Sequence, residues 1–499
     1  MKKKIIVFLL SSFILIGCTS ETKPKEVSFY ENTEETKLKK SGTYYEIFVR
    51  SYADSNGDGI GDLNGIRENL KELSELGVEG IWLTPIFQSP SYHKYDVTDY
   101  YKIDKEYGTI EDLKNLVKEA HDKKIKVIID MPINHTSHQH SWFKDVLKNK
   151  DSQYKSYYRI TDKDNKKINT KSIEMGHKSW NKLNDQELYY ALFSENMPDL
   201  NFSNQKVRDE MKKIGQYWLK ETGLDGYRLD AAAHIYGKAE YSSEIDSSKE
   251  NINWWAEYRE AMRKANKDVY LVGEVWMNSN IVSQYYKVFD SNFNFDLSEN
   301  GIIKAILMQS AGGLSTKIPL IYDSYKQETK NYIDAPFLSN HDQNRTAQTL
   351  ENLSQQKLAA SILLTLPGNP FIYYGEELGM KGQKPDENIR EGYVWGNKYQ
   401  TKWQASLYNK QTTSLLAQKK NAQSLYNHYK KMIQLRKSNS ALKYGDFLIA
   451  ETKDDQVLAF YRQYKDKKSL VVHNLSNKEK SIEIDNKNIK LSAYSTHIL

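Results

Sequence analysis

Two periodicities alternate along most of this chain. The run TYYEIFV (43–49) is aromatic and β-branched, as strands are. After it Leu63, Ile66, Leu70, Leu73 and Leu76 follow at steps of mostly three and four, one face of a helix. Gly77 stops that helix, and VEGIWLTPI (78–86) resumes as strand. Ile110, Leu113, Val117 and Ala120 mark another helical face ahead of the buried-strand run KVIID (126–130). Further strand runs are DGYRLD (225–230), VYLVGEVW (269–276), NFNFDL (292–297), APFLSNH (335–341) and NPFIYYG (369–375). Eight strands, most of them separated by helical pattern, predict an α/β fold built as a (β/α)8 TIM barrel. An open doubly wound sheet is the alternative with the same alternation.

One connection is out of scale. Roughly 90 residues, rich in Tyr, Lys, Asn and Ser, separate DMPINH (130–135) from DGYRLD, far more than an ordinary loop. They predict a lobe inserted after strand 3, residues 135–199, with the barrel taking 42–134 and 200–428. Beyond 429 the sequence alternates apolar and polar residues with turns between the runs, a C-terminal antiparallel β domain of sandwich type to residue 499. At the other end MKKK precedes the apolar run IIVFLLSSFILIG, a secretory signal over residues 1–17. It closes on Leu15-Ile16-Gly17-Cys18, which resembles a bacterial lipobox and implies lipidation of Cys18, the single cysteine. The polar, charged stretch 18–41 reads as a flexible tether. The expectation is an exported protein, lipid-anchored at the extracellular face of a bacterial cell membrane.

Composition changes this picture little. The net charge of +6 comes from scattered lysines with no long block of one sign, so no nucleic-acid partner is expected. One cysteine excludes a disulfide framework. The 36 tyrosines and 9 tryptophans offer flat faces that suit sugar rings, although most will be core.

The loop DSNGDGIGDLNG (54–65) has the spacing of a calcium loop. Asp54, Asn56 and Asp58 stand at positions 1, 3 and 5, Gly59 at 6, the Ile60 carbonyl at 7 and Asp62 at 9. Position 12 is Gly65 instead of a bidentate Glu, and a strand precedes the loop, so this is not an EF-hand. The remaining candidate chemistry sits where barrel enzymes keep it, at the C-terminal ends of strands. The period of two puts Arg228 and Asp230 on one face of their strand. Glu274 closes VYLVGE, His341 and Asp342 close FLSNHD, and His135 closes DMPINH. Each alone reads as a salt bridge or cap; their convergence on one mouth reads as a site.

These segments, with GIWLTPI, MPDLN and GNPFIYYGEELG, resemble in order the signature regions of the α-amylase family, glycoside hydrolase family 13, from about residue 43 to the C-terminus. The resemblance implies a barrel with an inserted lobe and a C-terminal β domain. It implies Asp230 as nucleophile, Glu274 as general acid/base and Asp342 as the aspartate that binds sugar hydroxyls. Tyr95, His135, Arg228, His341 and, less directly, His93 would surround the sugar; Tyr374 and Arg390 are candidates to line the mouth, with ordinary barrel-end packing the role expected of both. Arg228 is expected to hold Asp230 ionised while negative neighbours raise the pKa of Glu274. The first loop resembles a calcium loop of the family (Asp54, Asn56, Asp58, Ile60, Asp62), and Asn134, Asp199 and the carbonyl of His234 resemble a second calcium set. The partner implied is an α-glucan oligosaccharide or polysaccharide, cleaved at α-1,4 linkages with retention; the oligomeric state is left open, a monomer being favoured. MPDLN resembles the group intermediate between oligo-1,6-glucosidases and neopullulanases. Ala233 stands where many α-amylases carry Lys, which leaves an α-glucosidase, an oligo-1,6-glucosidase or a transglycosylase as alternatives. A non-catalytic glycan-binding lipoprotein is a more distant one, disfavoured because all three carboxylates are present.

Overall fold

The structure, a computed structural model, describes residues 29–237, 246–402 and 407–499. Cys18, the signal segment and the start of the tether lie outside the described residues.

Eight parallel strands form one sheet: β1 (Tyr44–Ile47), β2 (Gly80–Leu83), β3 (Lys126–Met131), β4 (Gly226–Leu229), β5 (Tyr270–Gly273), β6 (Ser291–Phe293), β7 (Ile333–Ala335) and β8 (Phe371–Tyr373). Their order is β7-β6-β5-β4-β3-β2-β1-β8. The ring closes where Phe371 N–H donates to the Pro336 carbonyl (2.9 Å), with a parallel bridge between Phe337 and Phe371. Both faces of each strand are covered, which is why the strands read as nearly continuous apolar runs. Outward residues such as Tyr45 and Ile47 pack under the helices. Inward residues form a separate aromatic plug of Tyr44, Trp82, Tyr270, Phe293, Phe337 and Phe371. Tyr44 stacks on Tyr270 and Phe371 at 5.2 and 5.0 Å. The barrel interior is therefore a packed floor beneath the mouth.

Several boundaries differ from the sequence reading. β7 ends at Ala335, so His341 and Asp342 lie in the loop beyond it, not at a strand end. Pro336 follows, and Phe337 and Leu338 are buried without joining the ladder beyond the closing bridge, so burial alone made this segment look like strand. β6 stops at Phe293 although Phe295 and Leu297 are buried, for the same reason. A hairpin, Phe87–Gln88 with Asp99–Ile103, follows β2 and was not anticipated. Between β3 and the helix Gln205–Thr222 lie a helix, Ser141–Lys148, and a three-stranded antiparallel sheet of Ile160–Asp162, Glu187–Tyr190 and Trp180–Lys182.

Both ends of the chain need correction. Residues 29–41 do not form a flexible tether. Glu34–Lys40 is a helix capped by Thr33 and seated on the N-terminal ends of the barrel strands. Lys40, 5% exposed, donates to the carbonyl of Val269 (2.6 Å) and to Asp290 (2.7 Å), and Asn369 Nδ2 donates to the Lys40 carbonyl (3.0 Å). The charges that suggested solvation are partly neutralised by a buried partner. At the other end the β domain starts at Asp446, not 429. Leu425–Ser438 is a helix whose Leu425, Tyr426, Tyr429, Met432 and Ile433 face the barrel, and its lysines obscured that spacing. Four strands (Asp446–Ile449, Val457–Tyr464, Lys467–Asn474 and Thr496–Ile498) then pair antiparallel, and a hairpin (Lys480–Ile484 with Lys487–Leu491) packs on them through Val457, Val472, Ile482 and Leu491.

Candidate active site

The centre of the mouth is a guanidinium. Arg228, on β4, is 1% exposed and lies over the plug, 5.1 Å from the Trp82 ring. Its Nη1 donates to both oxygens of Asp130 (2.9 and 3.0 Å) and to Asp230 Oδ1 (2.5 Å). Its Nη2 lies 2.8 Å from Glu274 Oε1. The strand period explains the first contacts: Arg228 and Asp230 share a face, and β4 pairs with β3 so that Arg228 stands opposite Asp130. Glu274 follows β5 directly, and its Oε2 accepts from Ala231 N–H (2.9 Å). Ala231 has φ +48, a left-handed conformation disfavoured for a residue with a Cβ, held by the carboxylate on its amide.

A second chain of contacts starts on β1. Glu46, two residues along the inward face from Tyr44, binds His341 Nδ1 at 2.6 Å. His341 Nε2 lies 2.7 Å from Tyr95 Oη and 3.1 Å from Asp342 Oδ2. Tyr95 stacks on His341 at 5.5 Å and donates to Asp130 (3.0 Å). Arg390 holds Asp342 from the other side (2.8 Å) and donates to the His341 carbonyl (2.9 Å). One network thus runs from Glu46 through His341, Tyr95 and Asp130 to Arg228 and the two carboxyls beside it.

Charge follows from this geometry. Burial works against a cation at His341, but Asp342 and Glu46 outweigh it and raise the imidazole to about 10. Burial likewise opposes ionisation of Asp342, yet His341 and Arg390 hold it well below the usual carboxylate range. Burial lifts Glu274, and the negative charges of Asp230 and Asp342 add to the lift against the pull of Arg228. For Asp230 the expectation that Arg228 would dominate is corrected. Burial pushes this carboxyl up too, with Arg228 opposing through the direct bond. Asp130 is raised to about 7, burial again prevailing over Arg228.

The sequence candidates meet around one cleft of about 690 Å³, lined by His93, Tyr95, His135, Asp230, His234, Glu274, Asp342 and Arg390. His135 Nε2 approaches the Tyr95 carbonyl (3.2 Å), and its buried Nδ1 has no partner among the described residues. His93 Nδ1 accepts from Tyr95 N–H (3.1 Å), and burial lowers both imidazoles to about 4. Arg390 belongs to the site, contrary to the packing role expected of it, while Tyr374 is fully buried behind it. Sequence reasoning missed Glu46 and Asp130. The available signal was a carboxylate inside an apolar strand run, which burial makes costly unless it is paired.

Loop 54–62, where the first calcium ion is expected, is ordered by its own side chains. Asp54 accepts from the N–H groups of Asn56, Gly57 and Gly59, Asn56 from Asp58, Asp58 from Ile60, and Asp62 from Ser55 and Gly65. Among the described residues these carboxylates have neutral donors of the loop as partners, though Asp54 and Asp62 are 4% and 5% exposed. A cation suits that donor set. The second set is only partly assembled. Asn134 Nδ2 bonds Asp199 (3.0 Å), Asn134 Oδ1 is buried without a partner among the described residues, and burial raises Asp199 to about 7. The N–H of His234 donates to the Ala231 carbonyl (2.8 Å). Arg159 supplies a positive charge there, donating to the carbonyls of Leu200 (3.0 Å) and Ile235. Among the described residues no three His, Cys, Asp or Glu side chains cluster as metal ligands.

Known proteins are similar to this chain in sequence and fold. The family profile described as "Alpha amylase, catalytic domain" matches residues 46–445, and one for the α-amylase SusG C-terminal domain matches 457–498. The chain is 43% identical over 454 residues to "Alpha-amylase 3" of Dictyoglomus thermophilum, covering 90% of this chain and 87% of that one. It is 35% identical over 471 residues to a 4-alpha-glucanotransferase of Thermotoga neapolitana, covering 91% and 99%. The crystal structure of an α-amylase from H. orenii superposes with a TM-score of 0.84 at 43% identity, covering 92% of this chain and 99% of the other. With a closed barrel, a carboxylate-lined mouth and a profile match over most of its length, the chain belongs to the α-amylase family of glycoside hydrolases.

Proposed function

We propose that this protein hydrolyses α-1,4 bonds of starch, glycogen or maltodextrins with retention of configuration. The observation that carries this reading is the single Arg228 fork touching both Asp230 and Glu274. That shared contact suits the short spacing of a retaining pair, about 5–5.5 Å, better than the wider gap that admits a water. Asp230, ionised and bonded to Arg228, forms a bond to the anomeric carbon while Glu274 gives its proton to the departing glycosidic oxygen. Water then attacks the anomeric carbon, Glu274 takes back a proton, and Asp230 leaves as carboxylate. Asp342, kept anionic by His341 and Arg390, accepts hydrogen bonds from ring hydroxyls and favours the positive transition state. The test is incubation of protein beginning after Cys18 with maltohexaose, products being separated by chromatography and anomers read by proton NMR. Short α-anomeric products support the reading, and β-anomeric products overturn it. Glu274→Gln abolishes turnover if the proton donor is correctly assigned; wild-type turnover in that variant refutes the assignment.

The same reading includes a structural calcium ion held by Asp54, Asn56, Asp58, the Ile60 carbonyl and Asp62, supported by the two buried carboxylates of Asp54 and Asp62, whose partners among the described residues are neutral donors of the loop. It also places the protein at the cell surface through lipidated Cys18. Cys18→Ser moves the protein from the membrane fraction to the medium if that is right, and an unchanged distribution refutes it.

Transfer to a sugar acceptor is a second reading favoured by one observation. Trp276, half exposed and two residues beyond Glu274, lies flat on Phe295 at 4.4 Å and lines the cleft beside Met277 and Met175. An apolar platform there holds a sugar in place of water. Products longer than the substrate, formed from concentrated maltotriose and lost in Trp276→Ala, support it; strictly shorter products from the wild type exclude it.

A further inference from the structure

The catalytic cleft is not the largest depression on the molecule. A second cleft, of about 830 Å³, lies where the hairpin after β2 meets the helices Ser141–Lys148 and Gln205–Thr222. The two clefts share no lining residue, but one hairpin separates them: His93 and Tyr95 at its turn face the catalytic cleft, while Gln88 and Tyr101 on its strands face the other. We propose that this second cleft binds a stretch of neutral α-glucan chain, so that the enzyme holds a polymeric substrate at two places. The proposal rests on the α-glucan reading of the catalytic site.

Three features carry it. The first is aromatic. Tyr101 is 39% exposed, is fixed edge-on against Tyr217 (5.2 Å) and is tethered through Oη to Glu210 (2.9 Å). Trp142, half-buried on the opposite wall, is backed by Tyr154 in a parallel stack at 6.0 Å. Rigid rings supply contact area to a sugar face at small entropic cost. The second is a preset donor. His140 is 4% exposed, lines the cleft, and accepts Trp142 N–H at Nδ1 (3.2 Å). Burial lowers the imidazole to about 4, so at neutral pH the remaining proton sits on Nε2. No described residue bonds that Nε2, which leaves an N–H for a ligand acceptor. The third is charge balance. Acidic Asp99, Asp104 and Glu210 and basic Lys102, Lys105 and Lys144 line the cleft together with the amide of Gln139, a mixture that suits hydroxyls, which both give and take hydrogen bonds. A phosphorylated or strongly anionic ligand would meet as many carboxylates as ammonium groups.

The experiment compares wild type, Tyr101→Ala and Tyr101→Ala/Trp142→Ala on soluble amylopectin and on maltotriose, with melting temperatures as a folding control. The double substitution is expected to lower kcat/KM on amylopectin roughly 3- to 10-fold, the order of one aromatic contact, and to leave maltotriose turnover unchanged. Equal loss on both substrates, or no loss on either, overturns the proposal. If the double variant does not fold, Tyr101→Ala alone is read, and Tyr101→Phe, which keeps the ring, should behave as wild type. Affinity electrophoresis of Glu274→Gln with and without Tyr101→Ala, in gels containing amylopectin or a soluble mixed-linkage β-glucan, separates this proposal from the catalytic one. Amylopectin-specific retardation weakened by Tyr101→Ala supports the second site even where wild type turns over no α-glucan, and equal retardation by the β-glucan overturns the α-glucan assignment.

Discussion

Glu46→Gln is the sharpest test of the electrostatic network. The substitution preserves shape, and the amide oxygen can still accept from His341 Nδ1, but one of the two negative charges holding the imidazolium is gone. Two unit charges about 4 Å apart interact by roughly 4 kcal/mol at an effective dielectric of about 20. At about 1.36 kcal/mol per pH unit, the pKa of His341 should fall by roughly three pH units from its present value of about 10. The stability consequence has a definite sign. A histidine whose folded pKa is raised contributes stability that is complete below its unfolded value, about 6.5, and lost as pH rises through the folded value. Between pH 7.5 and 9.5 the wild type therefore loses roughly 2.7 kcal/mol from this residue, and the variant, already deprotonated, loses almost none. Scanning calorimetry at the two pH values reads this directly. Glu46→Gln should melt below wild type at pH 7.5, and the difference should shrink at pH 9.5. A gap that stays constant or widens refutes the assignment of His341 as a cation held between Glu46 and Asp342.

Other consequences are simpler. Arg228→Lys removes the fork that serves Asp130, Asp230 and Glu274 at once, and should cost about 3–5 kcal/mol of stability with near-complete loss of turnover; a wild-type melting temperature with measurable activity would contradict it. The alkaline limb of kcat/KM should lie above the ordinary glutamic acid value, because burial first, and then Asp230 and Asp342, hold the Glu274 proton; a limb at or below pH 4.5 would reassign the acid. Removing divalent ions with a chelator should lower the melting temperature, and calcium should restore it; the double variant Asp54→Asn/Asp62→Asn should be insensitive to both. An unchanged wild-type melting curve makes loop 54–62 a plain turn.

What could be read from the sequence depended on whether a residue's neighbours in sequence were its neighbours in space. Strand period alone put Arg228 and Asp230 together, and the fold keeps them in contact. All eight barrel strands were visible as apolar runs, although burial lengthened them on paper at β6 and β7, where apolar residues continue past the hydrogen-bonded ladder. Glu46 was invisible as a functional residue because its partner, His341, is 295 positions away. Arg390 was dismissed for the same reason, since nothing local shows that it reaches Asp342. The helix at residues 34–40 was hidden differently. Its lysines read as solvated until Asp290, 250 positions downstream of Lys40, supplied a buried partner.

That N-terminal helix also sets a direction. It is bolted across the closed end of the barrel, at the starts of the strands near Val269, Asp290 and Asn369, while the catalytic cleft opens at the opposite end. A lipid on Cys18 would therefore hold the enzyme base-down, with the mouth facing the medium. The stretch from Cys18 to Phe29 spans at most about 40 Å at full extension, so the base would stay near the bilayer. Incoming polymer would meet the open face first, and released oligosaccharides would leave from the face turned away from the bilayer.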